Sequence, residues 1–175
     1  MIQNILITGK PGCGKSTLVQ KLRGCFKDRI ISGIITPEIK KGGKRYGFKI
    51  IDLLSEKEEI LSSVDIQSPH RVSKYHVDIK AIDRIMDEFI RNSETADILM
   101  VDEIGKMELY SDKFKQVIQR VLDSEKPVIA TITLSQNPFI DTIKNRSDSK
   151  VLYLEKGNQE SILNKIKADV MLFFD

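Results

Sequence analysis

Residues 9–16 of this 175-residue chain read Gly-Lys-Pro-Gly-Cys-Gly-Lys-Ser, a glycine-rich stretch that ends in a lysine and a hydroxyl side chain. An apolar run at residues 3–8 precedes it, and residues 16–26 follow with apolar side chains at helical spacing. A strand that passes through such a loop into a helix points backbone N–H groups at phosphate oxygens, which the helix dipole also attracts. The pattern G-x-x-x-x-G-K-[ST] therefore predicts a phosphate-binding P-loop.

The residue types within the loop indicate their roles. The Lys15 ammonium is expected to reach the outer phosphates of a nucleoside triphosphate, and the Ser16 hydroxyl to ligate Mg²⁺. We therefore predict Mg²⁺ as the cofactor. The predicted nucleotide-binding residues of this segment are Gly9, Lys10, Pro11, Gly12, Cys13, Gly14, Lys15, Ser16 and Thr17.

A second segment, residues 98–103, joins four apolar residues to two carboxylates. In a parallel sheet, Asp102 and Glu103 would lie at the carboxyl end of a buried strand, where α/β sheets bind ligands. We assign Asp102 to the metal together with Ser16. We assign Glu103 as the catalytic base that orients or deprotonates a water aimed at the γ-phosphate.

Hydrolysis also requires positive charge near the transferring phosphoryl group. Besides Lys15, the catalytic candidates are Lys106 and Arg146, although a lysine or arginine in either place is more often a solvated surface charge. Two threonines at a strand end are further candidates for binding the attacking water or for simple burial. The remaining candidates are the cations Arg45, Arg71 and Lys74, the threonines Thr131 and Thr133, and the turn Gly157-Asn158 beside the base.

Apolar periodicity predicts strands alternating with helices along the chain. The predicted strands are 3–8, 29–36, 45–53, 58–62, 97–102, 127–133 and 150–154, with a polar turn at 37–43 and a loop at 64–77. The predicted helices are 16–26, 78–92, 111–124, 138–144 and 160–173. This order predicts one three-layer α/β domain over residues 1–175, with an antiparallel β excursion at residues 29–63.

Composition narrows the class of protein. An apolar content of 41% suits a folded globular domain, and a net charge of +3 is too small to indicate a nucleic-acid or membrane partner, although it does not exclude nucleic acid. Residues 3–8 already form a strand pattern, so we expect no signal peptide and a cytoplasmic location. Cys13 and Cys25 are too far apart along one helix for a disulfide and are predicted to be free thiols. We expect a monomer whose partner is its nucleoside triphosphate.

Several stretches carry a family resemblance, above all Asp102-Glu-Ile-Gly-Lys-Met-Glu108, together with residues 9–16, 44–48, 74–78, 126–131 and 138–139. Through them the chain resembles the cancer-related nucleoside-triphosphatase family, small P-loop proteins of archaea, thermophilic bacteria and animals. The resemblance implies a RecA-like P-loop core with a mostly parallel sheet, and Mg²⁺-dependent hydrolysis of several nucleoside triphosphates to diphosphates. It also implies a second nucleotide-binding segment, formed by Ile98, Leu99, Met100, Val101, Asp102, Glu103, Ile104 and Gly105.

The chain departs from the family pattern at three positions. Ser16 replaces a frequent threonine and keeps the hydroxyl, Ser73 replaces the usual glycine, and Asn145 stands where a second basic residue is common. The third departure leaves Arg146 as the one cation of that pair.

Two alternative functions remain open at this point. In a kinase, the basic residues 40–45 would form a lid and Arg71 would bind an acceptor. In a GTP-dependent switch, residues 102–105 would match D-x-x-G and residues 145–148 would stand for the guanine-binding N-K-x-D. That second match has arginine in place of lysine, and it precedes a strand where the true motif follows one.

Overall fold

A computed structural model describes residues 2–174, which form ten strands and five α-helices. The strands are β1 (Asn4–Thr8), β2 (Ile31–Ile35), β3 (Glu38–Lys41), β4 (Lys44–Asp52), β5 (Glu58–Ser63), β6 (Arg71–Val72), β7 (Tyr75–Val77), β8 (Ile98–Ile104), β9 (Val128–Ile132) and β10 (Ser149–Tyr153). The helices are α1 (Lys15–Cys25), α2 (Ile79–Ser93), α3 (Asp112–Leu122), α4 (Pro138–Lys144) and α5 (Gln159–Met171), and a 3₁₀ turn spans Glu108–Tyr110.

The strands form one sheet with two differently built parts. The parallel half has the order β10-β1-β9-β8-β2. The antiparallel extension continues the sheet from β2 through β4, β5, β7 and β6, and β3 pairs with β4. Every residue of β1 and β9 is buried, because helices cover both faces of the parallel half. Their sequences are accordingly apolar without alternation.

Helices pack on both faces of the sheet and make three layers. One core contains side chains of α2, α3 and α4, including the fully buried Phe89 and Phe114. The other contains side chains of α1 and α5, including Leu22 and Ile166. The predicted three-layer α/β architecture is therefore confirmed, and the predicted cap of α2 is also present, since Asp78 accepts a hydrogen bond from the Ala81 N–H at 3.0 Å.

The predicted bounds of the β excursion are wrong. Strand β2 belongs to the parallel half, where Ile31 pairs with Ile98, so the antiparallel extension covers residues 38–77 and not 29–63. The predicted turn at 37–43 contains β3, and the predicted loop at 64–77 contains β6 and β7. Strands β3 and β6 are mostly polar or exposed, and β7, although its Tyr75 and Val77 are buried, has only three residues, so these strands are too short to carry a readable alternation.

Two expectations from composition can be compared with the structure. Cys13 and Cys25 are free, as predicted. None of the described helices combines the length and the apolarity that a bilayer span requires.

Candidate active site

The five parallel strands all point their carboxyl ends at the same edge of the sheet, and the candidate site lies along this edge. The P-loop connects the end of β1, at Thr8, to the start of α1, at Lys15. Gly14 is the residue before α1 and has a left-handed φ of +99°. This conformation requires glycine, whereas a Cβ at this position, 2.7 Å from Gln159 Nε2, would only displace the end of the Gln159 side chain.

The Lys15 ammonium lies over the loop that precedes it. Its Nζ donates hydrogen bonds to the carbonyl oxygens of Gly9, at 3.0 Å, and Lys10, at 3.3 Å. From the other side, Gln159 Nε2 at the start of α5 donates to the Cys13 carbonyl at 3.1 Å and supports the loop. Sequence reasoning missed Gln159, because a glutamine in the first turn of a helix has no motif that would reveal this contact.

Asp102 is held by threonines from the two neighbouring strands. Thr131 Oγ1 on β9 donates to the Asp102 carboxylate at 2.6 Å, and Thr36 Oγ1 after β2 donates to the Asp102 carbonyl at 2.9 Å. Asp102 is only 7% exposed. This contact gives Thr131 a role other than the two predicted, which were binding of the attacking water and simple burial. Its single hydroxyl hydrogen goes to Asp102, so Thr131 orients this carboxylate and does not donate to a water.

Glu103 is half-buried beside Asp102. Burial raises the pKa of Glu103 above its usual value, the nearby Lys15 charge lowers this pKa, and the Asp102 charge raises it further. The charges of Lys15 and Glu103 therefore interact, although the two residues come from different places in the chain, the start of α1 and the end of β8. The structure brings the P-loop lysine and the two predicted acids together.

A second glutamate, Glu108, lies close to this acidic pair and was not predicted as a site residue. It is the first residue of the 3₁₀ turn and is 4% exposed. Burial, and secondarily the charge of Glu103, raises the pKa of Glu108 to about 8. Its position in the stretch from Asp102 to Glu108 is the available sequence signal, but an acid in a short helical turn resembles an ordinary surface residue.

Of the candidate cations, Lys106 and Arg71 lie at the carboxyl edge of the parallel half. They line a cleft of about 520 Å³ together with Tyr110 and Thr133. The Tyr110 hydroxyl donates to the Arg71 carbonyl at 2.9 Å, which ties β6 to the 3₁₀ turn after β8. Arg45 and Lys74 lie on the antiparallel extension, where Arg45 pairs with Glu38 and the Lys74 ammonium faces the Tyr75 ring.

Arg146 does not lie at this edge, and the prediction of Arg146 as a catalytic cation is wrong. Its guanidinium forms ion pairs with Asp123 at 2.8 Å and Asp148 at 2.7 Å. The Asp148 carbonyl accepts from the Asn4 N–H at the start of β1, whereas the P-loop follows the end of β1. Five strand residues separate these ends by about 15 Å. Residues 145–148 are therefore also misplaced for the guanine-binding motif of a switch.

The turn after β10 lies next to the outer side of the P-loop. Gly157 has a left-handed φ of +99°, and Asn158 bonds to the Tyr153 carbonyl and the Glu155 N–H, so these two residues form the predicted β–α turn. Between this turn and the P-loop lies a cleft of about 400 Å³. It is lined by Lys10, Pro11, Gly12, Cys13, Tyr153, Leu154, Glu155 and Lys156.

Known proteins are similar to this chain over nearly its whole length. A sequence model of a family described as NTPase matches residues 4–167. The chain is 47% identical over 163 residues to nucleoside-triphosphatase THEP1 of Thermotoga maritima, covering 93% of this chain and 92% of that protein. It is 40% identical over 169 residues to THEP1 of Methanocaldococcus jannaschii, covering 94% and 97%.

Solved structures agree with these sequence matches. The crystal structure of THEP1 from Aquifex aeolicus matches with a TM-score of 0.83 at 30% identity, covering 95% of this chain and 98% of that one. The solution structure of a human cancer-related nucleoside triphosphatase matches with a TM-score of 0.82 at 31% identity, covering 96% and 97%. The predicted family resemblance and the predicted P-loop NTPase fold are both confirmed.

Proposed function

Since the chain belongs to the NTPase family and hydrolyses nucleoside triphosphates, we propose that Glu103 is the general base of this reaction and that Mg²⁺ is its cofactor. The observation that carries the proposal is the charge interaction between Lys15 and Glu103, because it places a phosphate-binding cation near a half-buried carboxylate. The kinase alternative has no comparable support, since the relatives of this chain carry the name nucleoside-triphosphatase.

The P-loop binds the phosphate chain. The backbone N–H groups of residues 9–17 and the dipole of α1 attract the phosphate oxygens, and Lys15 neutralises the outer phosphates. The hydrogen bonds from Lys15 to the Gly9 and Lys10 carbonyls keep its ammonium at the loop, so little reorientation is needed when phosphate oxygens replace these acceptors.

Ser16 and Asp102 would hold Mg²⁺. A hydroxyl and a carboxylate are oxygen ligands of the kind that this hard cation requires. Among residues 2–174, no three histidine, cysteine, aspartate or glutamate side chains converge as a self-sufficient metal site. This donor set fits an ion that completes its coordination with substrate phosphates and water. When bound, Mg²⁺ would neutralise charge that develops on the phosphate oxygens.

Glu103 receives the proton in the chemical step. A water oxygen bonds to the γ-phosphorus, the bond from this phosphorus to the β–γ bridging oxygen breaks, and the nucleoside diphosphate leaves with that bonding pair. The water proton passes to a Glu103 carboxylate oxygen. A pKa raised by burial suits this role, because a general base works best with a pKa closer to the working pH.

Lys106 is the proposed second cation of the transition state. It follows Glu103 by three residues and lines the cleft at the carboxyl edge, from which its flexible side chain can approach the transferring phosphoryl group. Arg71 lines the same cleft from β6 and is the other cation available there. With Arg146 at the opposite edge, these two side chains are the predicted cations that remain at the carboxyl edge of the parallel half.

The cleft between the P-loop and the β10–α5 turn is the proposed site of the nucleobase. Tyr153 is 41% exposed on this cleft and offers an aromatic face for stacking. Stacking accepts every base, which supports hydrolysis of several nucleoside triphosphates. A Tyr153→Ala variant should raise KM for ATP, GTP, CTP and UTP by similar factors and leave kcat unchanged.

The test of the base is a comparison of Glu103→Gln with the wild type in phosphate release from ATP without any acceptor. Removing the base should lower kcat by about a hundredfold or more while binding of a fluorescent ATP analogue stays unchanged. Glu125→Gln, an exposed acid after α3, is the matched control and should keep wild-type turnover. Near-normal turnover of Glu103→Gln would exclude Glu103 as the base.

A further inference from the structure

Gln159, the first residue of α5, contacts the P-loop but has no part in the proposed chemical step. Its side-chain Nε2 donates a hydrogen bond to the Cys13 carbonyl at 3.1 Å, across 146 positions of sequence. Both residues are half-buried at this contact. Because a carbonyl oxygen can only accept, the nitrogen of the Gln159 amide is the atom that faces Cys13.

This contact orients one peptide unit of the P-loop. The peptide between Cys13 and Gly14 is trans, so its carbonyl and its N–H point in opposite directions. A Cys13 carbonyl that is held toward Gln159 therefore directs the Gly14 N–H away from Gln159. Within residues 2–174, no backbone carbonyl accepts from this N–H, which lies at the start of α1 with the other unpartnered N–H groups of a helix beginning.

Glycines on both sides of Cys13 make the opposite orientation of this peptide accessible. Gly12 has a φ of +76° and Gly14 a φ of +99°. Glycine adopts positive and negative φ about equally well, so the backbone alone does not prevent the peptide from turning over. A reversed peptide would present the Cys13 carbonyl to an anion in place of the Gly14 N–H, and the negative end of its dipole would repel phosphate oxygens.

The neighbouring carbonyls of the loop are held by groups of the loop and its helix. The Lys10 carbonyl accepts from the Cys13 N–H at 3.2 Å, and the Gly14 carbonyl accepts from the Leu18 N–H at 2.9 Å. The Cys13 carbonyl between them is held by Gln159, from another helix. Removal of the Gln159 amide therefore releases this peptide and leaves the neighbouring bonds in place.

We propose that Gln159 is a positioning residue for nucleotide binding, which holds the Cys13–Gly14 peptide so that the Gly14 N–H meets a phosphate oxygen. This inference rests on the proposed binding of the phosphate chain by the P-loop and does not depend on Glu103. A hydrogen bond to a charged phosphate is stronger than one between neutral groups, so loss of this orientation weakens nucleotide binding. The bond exists before and during the reaction, so its loss raises KM and leaves kcat unchanged.

The first test is Gln159→Met, which keeps the length of the side chain and removes its N–H donor. We expect KM for ATP and Kd for a fluorescent ATP analogue to rise about fivefold or more, with kcat within about twofold of the wild type. Gln119→Met changes an exposed glutamine of α3, on the opposite face of the sheet, and should keep wild-type values. Thermal unfolding of both variants checks that the fold is kept.

The second test observes the peptide itself by NMR. Cys13-Gly14 is the one Cys-Gly pair in the sequence, so protein labelled with ¹³C at the cysteine carbonyl and ¹⁵N at glycine gives a selective signal for this peptide. Saturation with ADP and Mg²⁺ should move the Gly14 amide proton downfield in the wild type, because the N–H gains a charged acceptor. In saturated Gln159→Met this shift should be smaller.

The outcomes separate this inference from the proposed function. Wild-type KM and Kd in Gln159→Met, a loss of kcat at unchanged KM, or an equal Gly14 shift in both proteins overturns the role of Gln159. Should Gln159→Met fail to fold, Gln159→Ala replaces it with the same expected outcomes. Weak nucleotide binding in Lys15→Ala beside normal binding in Gln159→Met rejects the Gln159 role alone, whereas normal binding in Lys15→Ala rejects the P-loop as the phosphate site.

Discussion

The parallel half and the antiparallel extension of the sheet place their charges in opposite ways. In the parallel half, β9 is buried over its whole length, and the polar groups of the site stand where the strands end. In the extension, β3 has no buried residue, and its charges are spread along the strand. The comparison shows that a sheet covered by helices on both faces has room for polar functional side chains only where its strands end. Strand register then sets the positions of these side chains.

Lys15 and Lys44 test this comparison most strongly, because one lies in the P-loop and the other begins β4 in the extension. Lys15→Ala removes the cation that opposes phosphate charge and should lower kcat/KM by about a hundredfold or more. Lys44→Ala, an exposed residue, should stay within about twofold. Steady-state phosphate release measures both, and an equal loss in the two variants would remove the distinction between the halves.

Glu108, which follows β8 of the parallel half, and Glu59, on β5 of the extension, should contribute differently to the pH dependence of the unfolding free energy. The folded pKa of Glu108 is raised from 4.5 to about 8, so the folded chain keeps a proton that the unfolded chain has released. The free energy of unfolding therefore falls as pH rises from about 4.5 to about 8, by up to about 5 kcal/mol. Glu108→Gln should lose this dependence in urea unfolding at pH 5, 6.5 and 8.

Glu59 on β5 is the matched acid of the extension. Its pKa is lowered by the hydrogen bond from Arg84, so its contribution is lost only as pH falls below the usual glutamate value. Glu59→Gln should therefore leave the slope between pH 5 and 8 unchanged. If Glu108→Gln and the wild type show parallel slopes in this window, Glu108 is ionised in the folded protein.

Thr131→Val should give the next smaller effect. It leaves the Asp102 carboxylate without its donor and should cost about 1.5–3 kcal/mol of unfolding free energy, since hydrogen bonds to charged groups have this magnitude. The Mg²⁺ concentration for half-maximal activity should also rise. Ser62 on β5 is the matched residue of the extension, and its hydroxyl donates a hydrogen bond to the Met107 sulfur. Ser62→Ala removes this bond and should cost less than about 1 kcal/mol of unfolding free energy. Urea unfolding compares the two, and equal costs would contradict a special role for Thr131.

Arg146→Ala should have the smallest effect, because this residue lies at the edge remote from the site. Loss of its partly exposed ion pairs should cost below about 1 kcal/mol of stability. Turnover should equal that of the wild type in the phosphate-release assay. A tenfold loss of kcat without a change in stability would return Arg146 to the catalytic site.

The sequence predicts best what depends on local pattern. The P-loop is a fixed pattern of glycine, lysine and a hydroxyl residue, and the strands before it and before Asp102 are continuous apolar runs; these elements are confirmed. Arg146 was misassigned because its role depends on which end of the sheet it occupies, and a sequence does not show that its nearest charges are Asp123 and Asp148. Glu108 was missed because its burial comes from the 3₁₀ turn folding back on β8, a tertiary contact without a periodic signal.

Strand β9 lies between β1 and β8, and this order fixes the dimensions of the catalytic gap. Neighbouring strands are about 4.8 Å apart, so the P-loop strand and the strand bearing both acids stand about 10 Å from each other. The interposed strand works as a spacer, and its own Thr131 reaches across to steady one wall of the gap.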